Sequence, residues 1–235
     1  MGDNVPVHEA REGVTLLGGG ALGRDDLADA LALAPRLVAA DGGAATALEA
    51  GHLPEAVYGD LDSLPPSARA AIPAARIHRI DEQDSTDFDK ALRHIRAPVV
   101  LAAGFTGDRV DHELAVYHVL ATRAATRCVV LGARDVILHA PPALALDLPP
   151  GTRLSLFPLA AVTGRDSGLR WPIEGLRFDP LGRIGTSNVA AAGRVHLAFD
   201  RPGMLLILPR RHLSAAFTAV AQASVWSRAG GAGWV

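Results

Sequence analysis

The sequence predicts an α/β domain with a mostly parallel β-sheet, followed by a small all-β domain. Over roughly the first 140 residues, short apolar segments alternate with stretches of helical periodicity, which is typical of parallel strands joined by crossover helices. Several of these segments are uninterrupted apolar runs, as in strands that are buried on both faces. From Pro149-Pro150-Gly151 onward the helical periodicity fades and short β-like segments take over, which indicates an all-β region.

The predicted strands of the first domain are short apolar segments: Val14–Leu17, Leu37–Ala40, Ala56–Tyr58, Ile77–Ile80, Val99–Ala102, Cys128–Leu131 and Val136–His139. Helices are predicted between them at Asp25–Ala34, Ala44–Ala50, Asp87–Ile95 and Asp111–Ala125. The last helix is predicted from four residues that recur near the helical period: Leu114, Tyr117, Ala121 and Ala125. We therefore expect a Rossmann-like domain over residues 1–142.

In the second domain, Val195, Leu197 and Phe199 alternate with polar or small residues and predict a strand. Asp200-Arg201-Pro202-Gly203 predicts a turn, and Met204–Leu208 a second strand. We expect a sandwich-like β domain over residues 143–210.

A tail over residues 211–235 follows the β domain. Leu213, Phe217 and Val220 have roughly helical spacing, which indicates a short helix. Gly230-Gly231-Ala232-Gly233 is expected to be a frayed end.

The composition excludes several classes of protein. A net charge of −2 provides no global basic field for nucleic acid, and 49% hydrophobic residues argue against disorder. The N-terminus lacks a basic segment followed by an apolar one, and no apolar run is long enough to span a bilayer. The single cysteine, Cys128, lies within an apolar run and is expected to be a core thiol. We expect a cytoplasmic protein that binds neither membranes nor nucleic acid.

The segment Gly59-Asp60-Leu61-Asp62-Ser63 is the most informative motif. It directly follows a predicted strand, at the end where open α/β sheets bind their ligands. A solvated turn would explain this segment alone. However, Asp41-Gly42-Gly43 follows the preceding strand and Asp87 opens a later helix. Acidic residues at three such points predict a divalent-metal site for phosphate chemistry.

The segment from Gln83 to Lys90 adds further polar groups to this prediction. Ser85 or Thr86 would cap the helix, and Asp87 and Lys90 would share one of its faces. Lys90 is also the only lysine, since every other basic residue is arginine. A compact charge at this position suits a phosphate oxygen, and its location among the acidic motifs favours a functional role over the alternative of chance.

Two other segments are candidates for phosphate contacts. Arg109 follows the strand that ends near Ala103 and suits a bidentate phosphate contact, with Asp111 to orient it. A capped helix start with a surface ion pair is the alternative. Gly18-Gly19-Gly20 follows the first strand but lacks the ending of a P-loop, so we expect only a close backbone approach or a flexible loop.

The order of these motifs resembles the thiamine pyrophosphokinase family. The resemblance covers roughly residues 14–208 and includes two further segments, Gly168-Leu169-Arg170-Trp171-Pro172 and Thr186-Ser187-Asn188. One departure is Asp108, where the family usually has a glycine before the arginine. The tail after Leu208 has no assignable family counterpart.

The resemblance implies an enzyme that transfers pyrophosphate from ATP to the hydroxyl of thiamine and releases AMP. It implies Mg²⁺ ligands at Asp60, Asp62 and Asp87, which with Lys90 would form the catalytic set. It implies nucleotide contacts from Asp41, Gln83, Thr86, Lys90, Arg109 and Asp111. It implies thiamine contacts from Gln83, Trp171, Ser187 and Asn188, and a homodimer with sites shared between subunits.

The required chemistry is consistent with this implication. Attack on the β-phosphorus requires neutralisation of the triphosphate and in-line alignment of a weak nucleophile, which metal-binding carboxylates, lysine and arginine provide. The sequence leaves the group that accepts the hydroxyl proton open between Asp87, Asp62 and solvent or phosphate. A different acceptor such as a hydroxymethylpterin, a metal-dependent phosphohydrolase, and a non-catalytic thiamine or nucleotide sensor are the alternative functions.

Overall fold

The computed structural model describes residues 5–227, and these fall into two compact units. The first unit runs from the first described residue to Val119 and includes Val130–Ala133. The second comprises Leu120–Val129 and the residues from Arg134 to the last described one. The predicted boundaries after residues 142 and 210 stay predictions, and the segment Gly230–Gly233 lies outside the described residues.

The chain up to Leu131 alternates strands with helices. Its strands are β1 (His8–Glu9), β2 (Val14–Leu17), β3 (Arg36–Ala40), β4 (Ala56–Gly59), β5 (Ile77–Arg79), β6 (Ile95–Arg96), β7 (Val100–Ala103) and β8 (Cys128–Leu131). Its helices are α1 (Asp26–Leu33), α2 (Gly43–Glu49), α3 (Pro66–Ala71), α4 (Asp87–Arg93) and α5 (Val110–Thr122), with a 3-10 turn at Ala74–Arg76.

Within the first unit the strands pair in parallel. Strand β2 pairs with β7, and β3, β4 and β5 follow one another in register. The backbone N–H of Arg36 donates to the carbonyl of Gly13, which joins the start of β3 to the segment before β2. Because the strands run in the same direction, β2, β3, β4 and β7 deliver the residues that follow them to one edge of the sheet.

The predicted elements of this unit are confirmed to within two residues at most ends, and two differences are informative. Helix α3 was not predicted, because it is a six-residue, alanine-rich segment without a periodic apolar face. Helix α5 ends at Thr122, so Ala125 lies beyond it, and Leu114 is exposed. The buried residues of α5 are instead Val116, Val119 and Leu120.

The second unit contains antiparallel strands. They are β9 (Asp135–His139), β10 (Ala143–Asp147), β11 (Arg153–Pro158), β12 (Val162–Ser167), β13 (Arg177–Phe178), β14 (Gly185–Val189), β15 (Arg194–Phe199) and β16 (Met204–Pro209). One set pairs in the order β14–β11–β16–β9 and the other in the order β10–β15–β12–β13. The predicted fold class, α/β with an additional β domain, is thereby confirmed.

The tail contains the helix indicated by its apolar spacing. Helix α6 (Leu213–Gln222) follows a 3-10 turn at Arg210–His212 and buries Leu213, Ala216 and Val220. Beyond the helix, the indole N–H of Trp226 donates to the carbonyl of Ala140 at 2.9 Å. These contacts fasten the tail to the second unit.

Two predictions from composition also have a structural counterpart. Among residues 5–227, no helix combines the length and hydropathy needed to cross a bilayer. Cys128 is a buried free thiol, and burial raises its pKa well above the usual range. A core role for this cysteine is therefore confirmed.

Candidate active site

A pocket of about 620 Å³ lies in the first unit, at the edge where its parallel strands end. It is lined by residues that follow β2, β3, β4 and β7, and by the first turn of α4. The sequence-predicted residues that line it are Asp41, Asp60, Gln83, Thr86, Asp87, Lys90 and Arg109. Residues that sequence reasoning did not single out also line it, notably Phe105 and Thr106, whose apolar or small side chains gave no chemical signal.

Three carboxylates converge in this pocket. Asp41, Asp60 and Asp87 each offer one oxygen within 4.8 Å of the others. One oxygen of Asp41, Oδ1, is buried and has no hydrogen-bond partner among the described residues. A buried carboxylate oxygen without a donor is costly unless a cation satisfies it. The donor set therefore fits a hard divalent cation such as Mg²⁺, which prefers carboxylate oxygens.

The position of Asp41 depends on an unusual backbone conformation. Its φ angle is 41°, a left-handed value that is uncommon outside glycine and frequent at functional sites. Gly59 has a φ of 155°, and a Cβ on it would approach the Cβ of Asp41 to 2.9 Å. The glycine that precedes Asp60 therefore makes room for Asp41. Burial raises the pKa of Asp41, and the hydrogen bond from Ser63 opposes this shift.

Lys90 connects two of the three carboxylates. Its Nζ lies 2.9 Å from Oδ2 of Asp60 and 3.2 Å from Oδ1 of Asp87, and its side chain is only 3% exposed. Burial would lower the pKa of Lys90, but the hydrogen bonds and charges of Asp60 and Asp87 raise it. The hydrogen bond from Lys90 lowers the pKa of Asp60. Burial raises the pKa of Asp87, although Lys90 opposes this shift.

Asp62 is placed differently from Asp60. It is exposed and accepts a hydrogen bond from the hydroxyl of Ser63 at 2.9 Å. Leu61 between them has a φ of 69° and is buried in an apolar cluster with Leu64. This anchor fixes the loop, and the converging trio contains Asp41 rather than Asp62. The prediction of Asp62 as a metal ligand therefore rests on the family resemblance alone.

The start of α4 places Thr86 and Asp87 in the pocket. Thr86 is the N-cap, and its hydroxyl accepts the backbone N–H of Asp89 at 3.3 Å, as predicted for Ser85 or Thr86. Gln83 lies in the exposed segment just before this cap and also lines the pocket. Phe88 is buried beside Phe105, with ring centroids 4.8 Å apart, so the helix start packs against the loop after β7.

The glycine-rich segment after β2 lies close to the loop after β7. A Cβ on Gly18 would lie 2.4 Å from the carbonyl oxygen of Gly104, and one on Gly104 would lie 2.6 Å from that of Gly18. The backbone N–H of Gly20 donates to the carbonyl of Gly104 at 2.8 Å. Of the two interpretations of this segment, the structure supports the close backbone approach.

Arg109 and Asp111 form an ion pair at the start of α5. Arg109 Nη2 lies 2.6 Å from Asp111 Oδ2, and both side chains are more than half exposed. The hydrogen bond from Arg109 lowers the pKa of Asp111. Arg109 lines the pocket together with Asp108 and His112, whereas Asp111 does not. An orienting role of Asp111 for Arg109 is consistent with this geometry.

In the second unit, Asn188 holds the main chain of Trp171. Asn188 Oδ1 accepts the backbone N–H of Trp171 at 3.2 Å, and Asn188 Nδ2 donates to its carbonyl at 2.7 Å. Asn188 is buried, whereas Trp171 is 52% exposed and the Arg170 guanidinium lies 5.0 Å from its ring centroid. A core role for Trp171 is therefore excluded. Both polar atoms of the Asn188 amide are thus hydrogen-bonded to the main chain of Trp171, and the thiamine contacts of Trp171 and Asn188 stay predictions.

Two neighbouring residues support the same loop. Asp166 accepts the backbone N–H groups of Leu169 and Ile173, at 3.2 and 2.7 Å. Ser187 has a φ of 64°, and its backbone N–H donates to Ser155 Oγ at 3.0 Å. Ser187 itself is exposed and directly precedes Asn188. Sequence reasoning missed Asp166, because its contacts are with main-chain groups that no motif reveals.

Residues 27–131 match the family model described as the catalytic domain of thiamin pyrophosphokinase. These residues include the carboxylate trio, Lys90 and Arg109. The matched segment, somewhat less than half of the chain, is similar to the thiamine pyrophosphokinase family.

Thiamine pyrophosphokinases 1 and 2 of Arabidopsis thaliana are similar in sequence to this chain. The first is 27% identical in an alignment of 175 residues that covers 66% of this chain and 66% of the relative. The second is 28% identical in an alignment of 157 residues that covers 59% of each chain.

Solved structures of the thiamine pyrophosphokinase family have a similar fold. The enzyme from Candida albicans has a TM-score of 0.71 at 14% identity, over 86% of this chain and 93% of that one. The enzyme from Geobacillus thermodenitrificans has a TM-score of 0.68 at 22% identity, over 84% of this chain and 96% of that one.

Proposed function

We propose that this protein is a Mg²⁺-dependent thiamine pyrophosphokinase, which transfers pyrophosphate from ATP to the hydroxyl of thiamine and releases AMP. The observation that carries the proposal is the carboxylate trio of Asp41, Asp60 and Asp87 with Lys90 beside it, in a pocket at the carboxyl ends of parallel strands. The similarity to thiamine pyrophosphokinases supports the choice of ATP and thiamine as substrates.

The charge distribution of the pocket suits pyrophosphoryl transfer. The triphosphate carries several negative charges, and catalysis depends on neutralising them and holding the reacting oxygens in line. Asp41, Asp60 and Asp87 would hold Mg²⁺, which supplies charge neutralisation at the phosphates when bound. Arg109 is exposed at the pocket wall, where its guanidinium can bind a phosphate in a bidentate manner.

The remaining predicted contacts are assigned to the substrates. Gln83 and Thr86 line the pocket near the start of α4, where backbone N–H groups and side chains can contact the nucleotide. Lys90 holds Asp60 and Asp87 in place and provides a positive charge between them. The role of Asp62 is open between a metal ligand and a residue that fixes the loop through Ser63.

The assay that tests the proposal measures AMP formed from ATP in the presence of thiamine. Thiamine-dependent AMP release at a rate that rises with Mg²⁺ is expected. Release of inorganic phosphate without thiamine would indicate a phosphohydrolase, and AMP release only with a hydroxymethylpterin would indicate another acceptor. Thiamine binding without AMP release would indicate a sensor. Each of these three results would overturn the proposal.

We expect Trp171→Ala to raise the KM for thiamine by roughly 2- to 30-fold, with little effect on the KM for ATP. Stacking of a cationic ring on an exposed tryptophan is worth about 0.5–2 kcal/mol. Steady-state kinetics with each substrate varied in turn would measure the effect. The matched control is Trp226→Phe, because Trp226 binds the carbonyl of Ala140 and belongs to the tail. An equal rise in both KM values would contradict a thiamine contact.

The shared site of the proposed homodimer can be tested by mixing two defective variants. Asp60→Asn lacks a carboxylate of the first unit, and Trp171→Ala lacks the aromatic contact of the second. At subsaturating thiamine each variant alone should be slow. After subunit exchange, one site of each hybrid dimer would carry neither lesion, so the rate should rise. If exchange is demonstrated and the rate stays at the mean of the two variants, the site lies within one chain.

A further inference from the structure

A second pocket, of about 640 Å³, lies within the second unit, on the solvent side of the sheet β10–β15–β12–β13. One side of it is formed by the C-terminal end of α6, including Ala219 and Gln222. None of the residues assigned to the proposed reaction lines this pocket. Any ligand of this pocket is therefore distinct from the substrates of the proposed reaction.

The strand register explains why a depression forms there. The residues that point outward from these strands form two rows across the sheet: Arg165, Ala198 and Ala143 in one, and Ser167, His196 and Ala145 in the other. Three of these six positions are alanine, and their short side chains form the floor of the depression. The long side chains of Arg165 and His196 border this floor, diagonally opposite each other on neighbouring strands.

The polar side chains that line the pocket are those of Arg165, Asp166, Ser167, His196, Gln222 and Ser224. Arg165 is exposed and forms no ion pair within the described part of the chain. The neighbouring carboxylate of Asp166 is occupied, because it accepts two backbone N–H groups of the Trp171 loop. At the end of α6, Arg127 donates from Nε and Nη2 to the carbonyl of Ala223, at 3.0 and 2.7 Å. This guanidinium offsets the negative end of the helix dipole.

We propose that this pocket binds a small phosphate-bearing molecule. The guanidinium of Arg165 supplies a bidentate contact to phosphate oxygens, and His196, Ser167 and Gln222 supply further donors. The pocket volume lies in the usual range for small ligands, roughly 300–1,000 Å³. His196 is the only aromatic ring among the lining residues, so the pocket recognises the phosphate group rather than a stacked base.

The alanines of the floor allow a direct test. In protein labelled with ¹³C at alanine methyl groups, Ala143, Ala145 and Ala198 report on this pocket, whereas Ala40 lines the candidate active site. Titration with inorganic phosphate and with pyrophosphate should shift the floor methyl signals to saturation. Arg165→Gln should weaken this binding at least ~10-fold, because a charged hydrogen-bond donor is lost.

Two comparisons make the test decisive. Arg201→Gln is the matched control, because Arg201 is an exposed arginine of the same unit, 3.1 Å from Asp200, that does not line the pocket. This variant should bind phosphate like the wild type. Shifts confined to Ala40, or equal affinity in Arg165→Gln, would overturn the proposal. Equal saturation by acetate would assign the pocket to carboxylates and overturn the choice of phosphate. The result does not depend on the proposed reaction, since no turnover is measured.

Discussion

Asp60→Asn is expected to slow thiamine-dependent AMP formation at least ~100-fold, the scale for removing one preorganised electrostatic group. Asp60 contributes an oxygen to the carboxylate trio and is also the closest partner of Lys90. Asparagine keeps the shape but removes the negative charge that both a metal ion and the lysine need. The measurement is the rate of AMP release at saturating ATP, together with its dependence on Mg²⁺ concentration.

The matched control for this change is Asp84→Asn, an exposed carboxylate in the segment between β5 and α4 that does not line the pocket. This variant should retain wild-type activity, and both variants should keep the wild-type circular dichroism spectrum. The same assay on Asp41→Asn and Asp62→Asn decides which of these two aspartates acts with Asp60 and Asp87 as a metal ligand. Full turnover of Asp60→Asn, or of the wild type in excess chelator, would be incompatible with the proposed metal site.

Lys90→Arg is expected to lower kcat at least ~10-fold even though the charge is kept. The ammonium group is almost fully buried between Asp60 and Asp87, where a point charge fits and a planar guanidinium does not. The larger side chain would displace one carboxylate from the trio. Steady-state kinetics and thermal unfolding together measure the effect, and the midpoint temperature should change much less than the rate.

Arg93→Lys is the reciprocal control on the same helix. Arg93 pairs with Glu82 at 2.7 Å, is 25% exposed and does not line the pocket. Exposed or half-exposed ion pairs contribute little to stability, so this exchange should leave the rate unchanged. Wild-type activity of Lys90→Arg would mean that the location of the only lysine is accidental.

The first unit was largely predictable from the sequence because most of its strands are apolar segments. Cys128–Leu131 is an uninterrupted apolar run and Val14–Leu17 is interrupted only by Thr15, and the bounds of both were predicted without error. Strand β12 illustrates why most of the second unit was not predicted in detail. It contains Gly164 and Asp166, residue types that are depleted in strands, and its pairing with β13 and β15 makes it a strand.

The candidate site was predictable in its residue types but not in its geometry. The sequence placed Asp41, Asp60 and Asp87 after separate elements, and the parallel sheet brings them together. The converging trio contains Asp41 in place of the predicted Asp62. Asp41 and Leu61 both have left-handed backbone conformations, which the sequence does not reveal. Lys90 and Asp60, which form an ion pair, are 30 residues apart in the sequence, so no local pattern predicts their contact.

The bidentate grip of Asn188 on the main chain of Trp171 has an entropic consequence. An exposed aromatic residue on a loose loop loses conformational freedom when a ligand orders it, at a cost of roughly 0.5–1.5 kcal/mol for each immobilised side chain. At Trp171 the backbone is already ordered, and Arg170 restricts the ring from one side. The main chain of Trp171 is therefore ordered by folding, so a ligand that stacks on its ring has less conformational entropy to remove on binding.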